Sequence, residues 1–337
     1  MNLKNVLSRF ELASLKRMVS NAKLVSEESG KNVILVLTDM ANCILRYNVG
    51  YMEYHLFHFV DKKKDDRLSY VTYNHSHKLF SMLNDYTYNN VFKNKLIFNE
   101  RFSEFIGRDF IDAAHCSYEE FATFCKGKTK IFAKPKDSCS GQGIYKSFDV
   151  INSDLRSLHE LMISNDLFCE DLIIQHDTMN KLNPTSINTV RVTTLVDDED
   201  EVHVMYCIQR MGVGNMSVDN VGSGGMYTRL SEDGRIEHPC WSDKKLATFT
   251  VHPTTKMNLI GFEVPYFKQA LELCKQAALI EPHIRYVGWD IAITPNGPVI
   301  VEGNDLPGYD MPQNYYVSGS DRGMLKEFED LVGKIVV

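Results

Sequence analysis

The stretch that decides the fold is WDIAITPNGPVIVEGN, residues 289–304. Two apolar runs, residues 291–293 and 299–301, flank the turn signal Pro-Asn-Gly-Pro at residues 295–298. Apolar runs on both sides of an Asn-Gly pair predict a β-hairpin. Asp290, Glu302 and Asn304 are the polar residues at its open end, and they are the first candidates for chemistry.

These three polar residues are spaced so that they can converge. Asp290 and Glu302 each lie six residues from Asn296, while Glu302 and Asn304 are two apart and share one face of a strand. Two carboxylates a few ångströms apart repel by roughly 1 kcal/mol in water and by more in a low-dielectric cleft, so a nearby cation would compensate. Oxygen ligands from Asp, Glu and Asn suit Mg²⁺.

The convergence depends on the register of the hairpin. A two-residue Asn-Gly loop would place Asp290 opposite Gly303 and would turn Glu302 to the other face, so we predict an odd-length loop or a bulge. An edge hairpin with solvated acids is the alternative, and these residues alone leave both readings open.

The composition limits what kind of protein this is. The chain has 337 residues, 44% of them hydrophobic, and a net charge of −7, which with its scattered basic residues argues against nucleic-acid binding. The eight cysteines show no Cys-x-x-Cys spacing and no cleavable leader is recognisable, which predicts reduced thiols in a cytoplasmic protein. No apolar stretch is long enough to span a membrane.

The first 91 residues are predicted to be mainly helical. Apolar residues recur at intervals of three and four from Leu3 to Val25, and Gly30 ends that pattern. Residues 33–44 fit either a strand or a helix, and the helix is favoured. The histidines of residues 51–90 lack the supporting Cys, His or Asp spacing of a zinc site, so we expect them at the surface or in the core.

Two lysines lie where an anion could bind. Lys95 stands at the entrance to an amphipathic helix, where it opposes the helix dipole, and a bound anion would explain it better than helix stability does. Lys134 ends a short strand before a Gly/Ser-rich turn, which could place backbone N–H groups and an ammonium on phosphates. An ordinary flexible hairpin explains this second segment equally well. The turn residues concerned are Ser138, Ser140, Gly141 and Gly143.

Two arginines lie on strands that are predicted to pair. Residues 188–196 and 202–210 flank an acidic turn, and they carry Arg191 and Arg210. The arginines could clamp a phosphate or a carboxylate, and solvated strand arginines are the alternative. A helix is predicted over residues 267–278, directly before the hairpin.

In order along the chain, these pieces resemble the ATP-grasp superfamily, and in particular its sugar-transfer-associated branch, which is related to glutamate ligases. The resemblance covers roughly residues 92–320. The motifs that carry it are Gln175-His176, Asn188-Thr189-Val190-Arg191, Arg210-Met211-Gly212, Asp219-Asn220, Gly224-Gly225 and Gly288-Trp289-Asp290.

The resemblance implies an α+β fold in which two subdomains grip ATP. We expect a helical N-terminal region at residues 1–91, a small subdomain at 92–178 and a large subdomain with the metal site at 179–337. Lys95 and Lys134 would contact the α- and β-phosphates, and the loop with Ser138, Ser140, Gly141 and Gly143 would close over them. Gln175 and His176 would line the adenine site, and Arg191 and Arg210 would face the γ-phosphate and the acyl acceptor. Asp290, Glu302 and Asn304 would hold one or two Mg²⁺ ions.

The reaction that this inventory suits is phosphoryl transfer by positioning and charge neutralisation, which needs no protein nucleophile. The hypothesis is a carboxylate–amine ligase that uses ATP and Mg²⁺, forms an acyl phosphate and acts on a saccharide or amino-acid substrate of cell-surface polysaccharide synthesis. Its partners would be a small-molecule carboxylate and an amine. A phosphotransferase on the same fold and a non-enzymatic nucleotide-binding assembly protein are the alternatives. The sequence does not indicate the oligomeric state.

Overall fold

The computed structural model describes residues 12–137, 146–216 and 219–337. Helices and two antiparallel sheets make up these residues, which confirms the predicted α+β class. The predicted phosphate loop with Ser138, Ser140, Gly141 and Gly143 lies outside the described residues. Within the described chain, no helix combines the length and the apolar character that a membrane crossing requires.

The N-terminal region is helical, as predicted. Residues 33–44 lie in a helix that begins where the Asn32 side chain accepts a hydrogen bond from the Ile34 amide, a typical N-cap. Met40 and Cys43 of that helix are fully buried in a core that also contains residues of the larger sheet. The helices are α1 (Leu12–Ser29), α2 (Val33–Tyr47), α3 (Tyr51–Leu56), α4 (Lys64–Leu68) and α5 (Tyr73–Leu83).

A smaller sheet occupies the middle of the chain. Its strands are β1 (Phe110–Ile111), β2 (Lys130–Pro135), β3 (Lys146–Asp149) and β4 (Leu167–Glu170), in the order β1-β4-β2-β3. Helices α9 (Tyr118–Cys125) and α10 (Leu155–Ser164) pack against it. Ser117 and Glu120 form a capping box at the start of α9. At the start of α10, the Asp154 side chain accepts a hydrogen bond from the Ser157 amide and so acts as the N-cap.

A larger sheet carries the hairpin of residues 289–304. Its order is β11-β10-β5-β6-β7-β8-β9, and the predicted pairing of residues 188–196 with 202–210 is confirmed. The strands are β5 (Val190–Val196), β6 (Val202–Met211), β7 (Met226–Arg229), β8 (Cys240–Ser242), β9 (Ala247–Phe249), β10 (Tyr286–Thr294) and β11 (Gly297–Asn304).

The remaining helices pack on this larger sheet or connect its strands. Helices α6 (Asn90–Lys93), α7 (Lys95–Arg101) and α8 (Ser103–Ile106) precede the smaller sheet, but Phe98 in α7 and Phe102 between α7 and α8 belong to the core of the larger sheet. The others are α11 (Asp177–Asn180), α12 (Phe267–Ala278), α13 (Tyr315–Ser318) and α14 (Leu325–Val332). The subdomain boundaries at residues 92 and 179 stay a prediction.

The two faces of the larger sheet have different coverings. Val192, Trp289 and Ile291 point to the core that contains α12. Tyr286, two residues from Gly288 and four from Asp290 on the same strand, points to the core of the N-terminal helices. Asp290 therefore lies on the face that the N-terminal region partly covers.

Candidate active site

The β10–β11 hairpin has the bulge that the sequence predicts. Thr294 lies opposite Gly297, so the turn itself is the two-residue Pro-Asn loop, and Ile291 still pairs with Ile300. The next pair is Asp290 with Glu302, because the pairing shifts by one residue at Val301. The bulge thus places both carboxylates on one face, directly opposite each other.

Asp290 lies between two arginines. Arg191 donates from Nε to Asp290 Oδ1 and from Nη2 to Oδ2 at 2.9 Å, and Arg210 donates from Nη1 to Oδ2 at 2.8 Å. Both arginines are only 8% exposed, so the alternative of solvated strand arginines is wrong. Gly288 leaves room for this arrangement, since a Cβ there would lie 3.0 Å from Arg191 Cδ.

The pKa values of the two paired acids are shifted in opposite directions. Burial acts to raise the pKa of Asp290, but Arg191 and Arg210 outweigh it and hold that pKa below its usual range. Burial and the adjacent Asp290 carboxylate raise the pKa of Glu302, and the arginines offset this only in part. The pair therefore has one firmly ionised carboxylate and one that resists ionisation.

Arg210 is held by a second carboxylate, that of Asp219, which the sequence indicates only as part of the motif Asp219-Asn220. Its Nη2 donates to Asp219 Oδ1 at 3.1 Å, and the Thr189 amide donates to Asp219 Oδ2 at 2.8 Å. The Asp219 carboxylate thus fixes the direction in which the Arg210 guanidinium points.

Glu170, at the end of β4, organises the smaller sheet's side of the site. Its Oε1 lies 2.6 Å from Lys134 Nζ, and its Oε2 accepts hydrogen bonds from Arg108 Nε at 2.9 Å and Asn99 Nδ2 at 3.0 Å. Burial opposes ionisation of Glu170, but Lys134 and Arg108 lower its pKa to about 2. Burial likewise lowers the pKa of Lys134, although Glu170 counteracts it. The sequence analysis did not identify Glu170 as a site residue. The signal that could have indicated it is the short apolar run Leu167–Cys169, which ends at this carboxylate and forms a fully buried strand with it.

One cavity of about 410 Å³ brings four of the predicted site residues together, namely Lys95, Lys134, Glu302 and Asn304. The start of α7 is tied to the end of β2, because the Lys95 amide donates to the Lys136 carbonyl at 2.9 Å. This contact explains how Lys95 and Lys134, which are 39 residues apart in the sequence, both contribute to the wall of one cavity. Two lysines and two residues with oxygen ligands for a metal therefore line one space of small-molecule size.

Gln175 and His176 do not line this cavity. The Gln175 amide donates to Asn180 Oδ1 at 2.9 Å, and its Oε1 accepts from the Asn188 amide at 2.6 Å. The His176 ring caps α11 by accepting from the Thr178 amide at 3.0 Å. Both side chains organise the segment between β4 and β5, and their contact with adenine stays a prediction.

Replacing Gln175 with leucine should destabilise the protein by about 1–3 kcal/mol, because the buried partners of its amide lose their hydrogen bonds. Urea denaturation measures this loss. Gln276→Leu is the matched control, since the Gln276 amide lies on the exposed side of α12. Affinity for an ATP analogue, measured on the folded Gln175→Leu variant, tests the adenine role separately: an unchanged affinity would remove it.

The residues at the hairpin fit a hard divalent cation. Asp290 and Glu302 supply paired carboxylates, and Asn304 adds an amide oxygen while its Nδ2 donates to the Gly288 carbonyl at 3.3 Å. A cation beside Glu302 would relieve the burial and repulsion that raise its pKa. In the described ranges, no group of three His, Cys, Asp or Glu side chains forms a metal site, so Asn304 is needed to complete a set of three here.

Residues 74–328 match the model of the sugar-transfer associated ATP-grasp family. Because this match covers most of the chain, the protein belongs to that family, and the predicted ATP-grasp fold is confirmed. The comparison with curated proteins gave no match.

Solved structures show distant similarity. N5-carboxyaminoimidazole synthase from Aspergillus clavatus, in complex with ADP and an aminoimidazole ribonucleotide, is 12% identical with a TM-score of 0.39, over 66% of this chain and 46% of that one. The D-alanine-D-alanine ligase from Coxiella burnetii is 13% identical with a TM-score of 0.40, over 72% and 57%. A putative ATP-grasp protein from Archaeoglobus fulgidus is 10% identical with a TM-score of 0.40, over 76% and 58%. The matched region thus spans about half of each of these structures.

Proposed function

We propose that this protein is an ATP- and Mg²⁺-dependent carboxylate–amine ligase. A substrate carboxylate attacks the γ-phosphorus of ATP and releases ADP, and an amine then attacks the resulting acyl phosphate to give an amide and inorganic phosphate. The substrates are a saccharide or amino-acid carboxylate and an amine of cell-surface polysaccharide synthesis, and the reaction takes place in the cytoplasm. Membership of the family supports the use of ATP.

The observation that carries this proposal is the cavity that Lys95, Lys134, Glu302 and Asn304 line together. Lysine ammonium groups neutralise phosphate oxygens as point charges, and Lys134 is held in place for that task by Glu170. Arg191 and Arg210 do not line this cavity, but Asp290 fixes their guanidinium groups on the same face of the larger sheet as Glu302, where they can orient a phosphoryl group or a carboxylate.

A bound Mg²⁺ would add a further positive charge to this arrangement of lysines and arginines. Asp290, Glu302 and Asn304 would hold Mg²⁺, which supplies charge neutralisation for the phosphates when it is bound. Around it, this chain's side chains do the positioning, since the buried side chains of Lys134, Arg191 and Arg210 are held in fixed geometry and need no reorganisation during the reaction.

No thiol nucleophile is needed, and the described cysteines are unsuited to be one. They are free and mostly buried, and burial raises the pKa of Cys207 and of Cys240 to about 12. A thiol with so high a pKa is protonated at neutral pH and is a poor nucleophile. This agrees with a direct attack of the substrate carboxylate on ATP.

The test is a mass-spectrometric screen of uronic acids and amino acids with Mg-ATP and candidate amines. A ligase gives a product whose mass is the sum of acid and amine less one water, with one ADP formed for each product. When the carboxylate carries ¹⁸O, one label should appear in the released phosphate, because the acyl phosphate passes that oxygen to phosphorus. The Asp290→Asn protein is the inactive control.

A phosphotransferase on the same site is the second candidate, because lysines and a metal that hold ATP do not by themselves select the acceptor. It would yield a stable phosphorylated alcohol and ADP, with no requirement for an amine. The non-enzymatic alternative predicts nucleotide binding without ADP formation for any acceptor. Either result would refute the ligase.

A further inference from the structure

The turn before β1 packs directly on the hairpin strand β11. Gly107 has a left-handed backbone with φ of +58°, and a Cβ at this position would lie 2.5 Å from Val299 Cγ1. Glycine is therefore required both by the conformation and by the close approach. This contact brings the next residue, Arg108, to the edge of the strand next to the bulge.

Arg108 occupies the bulge with its guanidinium group. Its Nη1 donates to the Ile300 carbonyl at 2.7 Å and to the Ile106 carbonyl at 3.1 Å, and its Nη2 donates to the Val301 carbonyl at 3.1 Å. A bulge interrupts the ladder and leaves backbone groups that need other partners. The arginine fork satisfies the two carbonyls at the point where the register shifts.

The same guanidinium contacts Glu170, the carboxylate that holds Lys134 in the cavity wall. Arg108 Nε donates to Glu170 Oε2, the carboxylate whose other oxygen holds Lys134. The side chains of Arg108 and Glu170 are 3% and 5% exposed, so water screens this contact little. One buried chain of contacts thus runs from the bulge in β11 through Arg108 and Glu170 to Lys134.

We propose that Arg108 is a positioning residue of the Mg-ATP site: it fixes the bulge that holds Glu302 opposite Asp290 and links that bulge through Glu170 to Lys134. This inference rests on the nucleotide site of the proposed function, but not on its acceptor. Without the bulge, the register would return to one in which Glu302 points to the opposite face, since a shift of one residue reverses every side chain.

The test compares Arg108→Lys with a matched arginine elsewhere. Lysine keeps the charge beside Glu170 but has no planar fork to serve two carbonyls and a carboxylate at once. Arg101→Lys is the control, because Arg101 Nη2 also donates to a backbone carbonyl, that of Ile280 at 2.8 Å, and to a glutamate, Glu281, at 3.4 Å. Arg101 does not line the cavity.

The measurement is the affinity for a non-hydrolysable ATP analogue by calorimetry, with Mg²⁺ and with EDTA. We expect Arg108→Lys to reduce the Mg²⁺-dependent gain in affinity about 10- to 100-fold, the range found when residues that support metal ligands are replaced. Arg101→Lys should keep the full gain. Equal losses in the two variants, or a wild-type protein without a Mg²⁺-dependent gain, would overturn the proposal.

Two further readouts separate positioning from general destabilisation. In the Glu302→Gln background, Arg108→Lys should cause no further loss of the Mg²⁺-dependent gain, because its effect passes through Glu302. Amide hydrogen exchange at Val301 and Glu302 should be faster in Arg108→Lys than in Arg101→Lys, with no nucleotide present. An additive loss in the double variant, or unchanged exchange, would contradict the role. A wild-type protein that binds Mg-ATP but forms no amide would refute the ligase and leave this inference standing.

Discussion

Asp290→Asn should both abolish ATP turnover and make the protein easier to unfold. The buried guanidinium groups of Arg191 and Arg210 share this carboxylate, and a neutral amide would leave their charges poorly compensated. Removing one partner of a buried ion pair costs about 3–5 kcal/mol. Denaturant unfolding measures the stability, and ADP release per folded molecule measures the turnover.

A second, partly exposed Asp–Arg pair supplies the control. Asp39 pairs with Arg67 in the N-terminal helical region, and Asp39→Asn should lower the stability while leaving turnover per folded molecule unchanged. Turnover in Asp290→Asn above about one tenth of the wild-type rate would remove Asp290 from the metal site. Wild-type stability in that variant would show that the two arginines do not depend on it.

The sign of a pH effect follows from the same ion pairs. The pKa of Asp290 is depressed in the folded protein, so its contribution to stability is present above the usual aspartate pKa. That contribution is lost as the pH falls through the depressed value, which makes Asp290 a source of acid sensitivity. Asp290→Asn should therefore flatten the acid limb of the stability profile.

The hairpin shows which features of this site the sequence could predict. The spacing of Asp290 and Glu302 around the turn predicts that the two side chains share one face of the hairpin if a bulge or an odd-length loop intervenes. The structure has a bulge, and it lies at Val301. The pairing of β5 with β6 likewise follows from the local pattern, whereas for residues 33–44 periodicity fits both a strand and a helix and only favours the helix that forms.

The partners of the site residues could not be predicted in the same way. Arg191 and Asp290 are 99 residues apart, and they meet only because β10 inserts beside β5 in the larger sheet. Arg108 and Glu170 belong to two short segments whose antiparallel pairing is not signalled by any periodic pattern. Such contacts depend on the strand order, which a single sequence does not specify.

Gln175 illustrates a different limit of sequence reasoning. The motif Gln175-His176 supports the family resemblance, yet the Gln175 amide is engaged by the segment that follows it. A side chain that organises a loop beside a site and one that contacts a ligand can stand in the same motif. Only the hydrogen-bond partners distinguish the two roles.

Glu302→Gln should abolish activity but stabilise the metal-free protein, the opposite stability effect from Asp290→Asn. Burial and Asp290 raise the pKa of Glu302 above the 4.5 of an ordinary glutamate, so the folded state binds its proton more tightly than the unfolded state does. The stability associated with that proton is fully present below pH 4.5 and is lost as the pH rises through the raised value. Glutamine has no such loss, so in EDTA the variant should melt at a higher temperature than the wild type at neutral pH and at a similar temperature at acid pH.

Added Mg²⁺ should reverse the order of the two melting temperatures, and this reversal makes the experiment specific for a metal site. Mg²⁺ should raise the melting temperature of the wild type and not that of Glu302→Gln, because an amide oxygen supplies no charge to compensate the cation. ADP formation should fall about 100-fold or more, the scale on which one preorganised electrostatic contact contributes to a transition state. Glu104→Gln, at an exposed position in α8, should match the wild type in every one of these measurements. If Glu302→Gln were less stable than the wild type in EDTA at neutral pH, Glu302 would not be the destabilising member of the pair, and a cation would not be needed to explain why the two acids lie opposite each other.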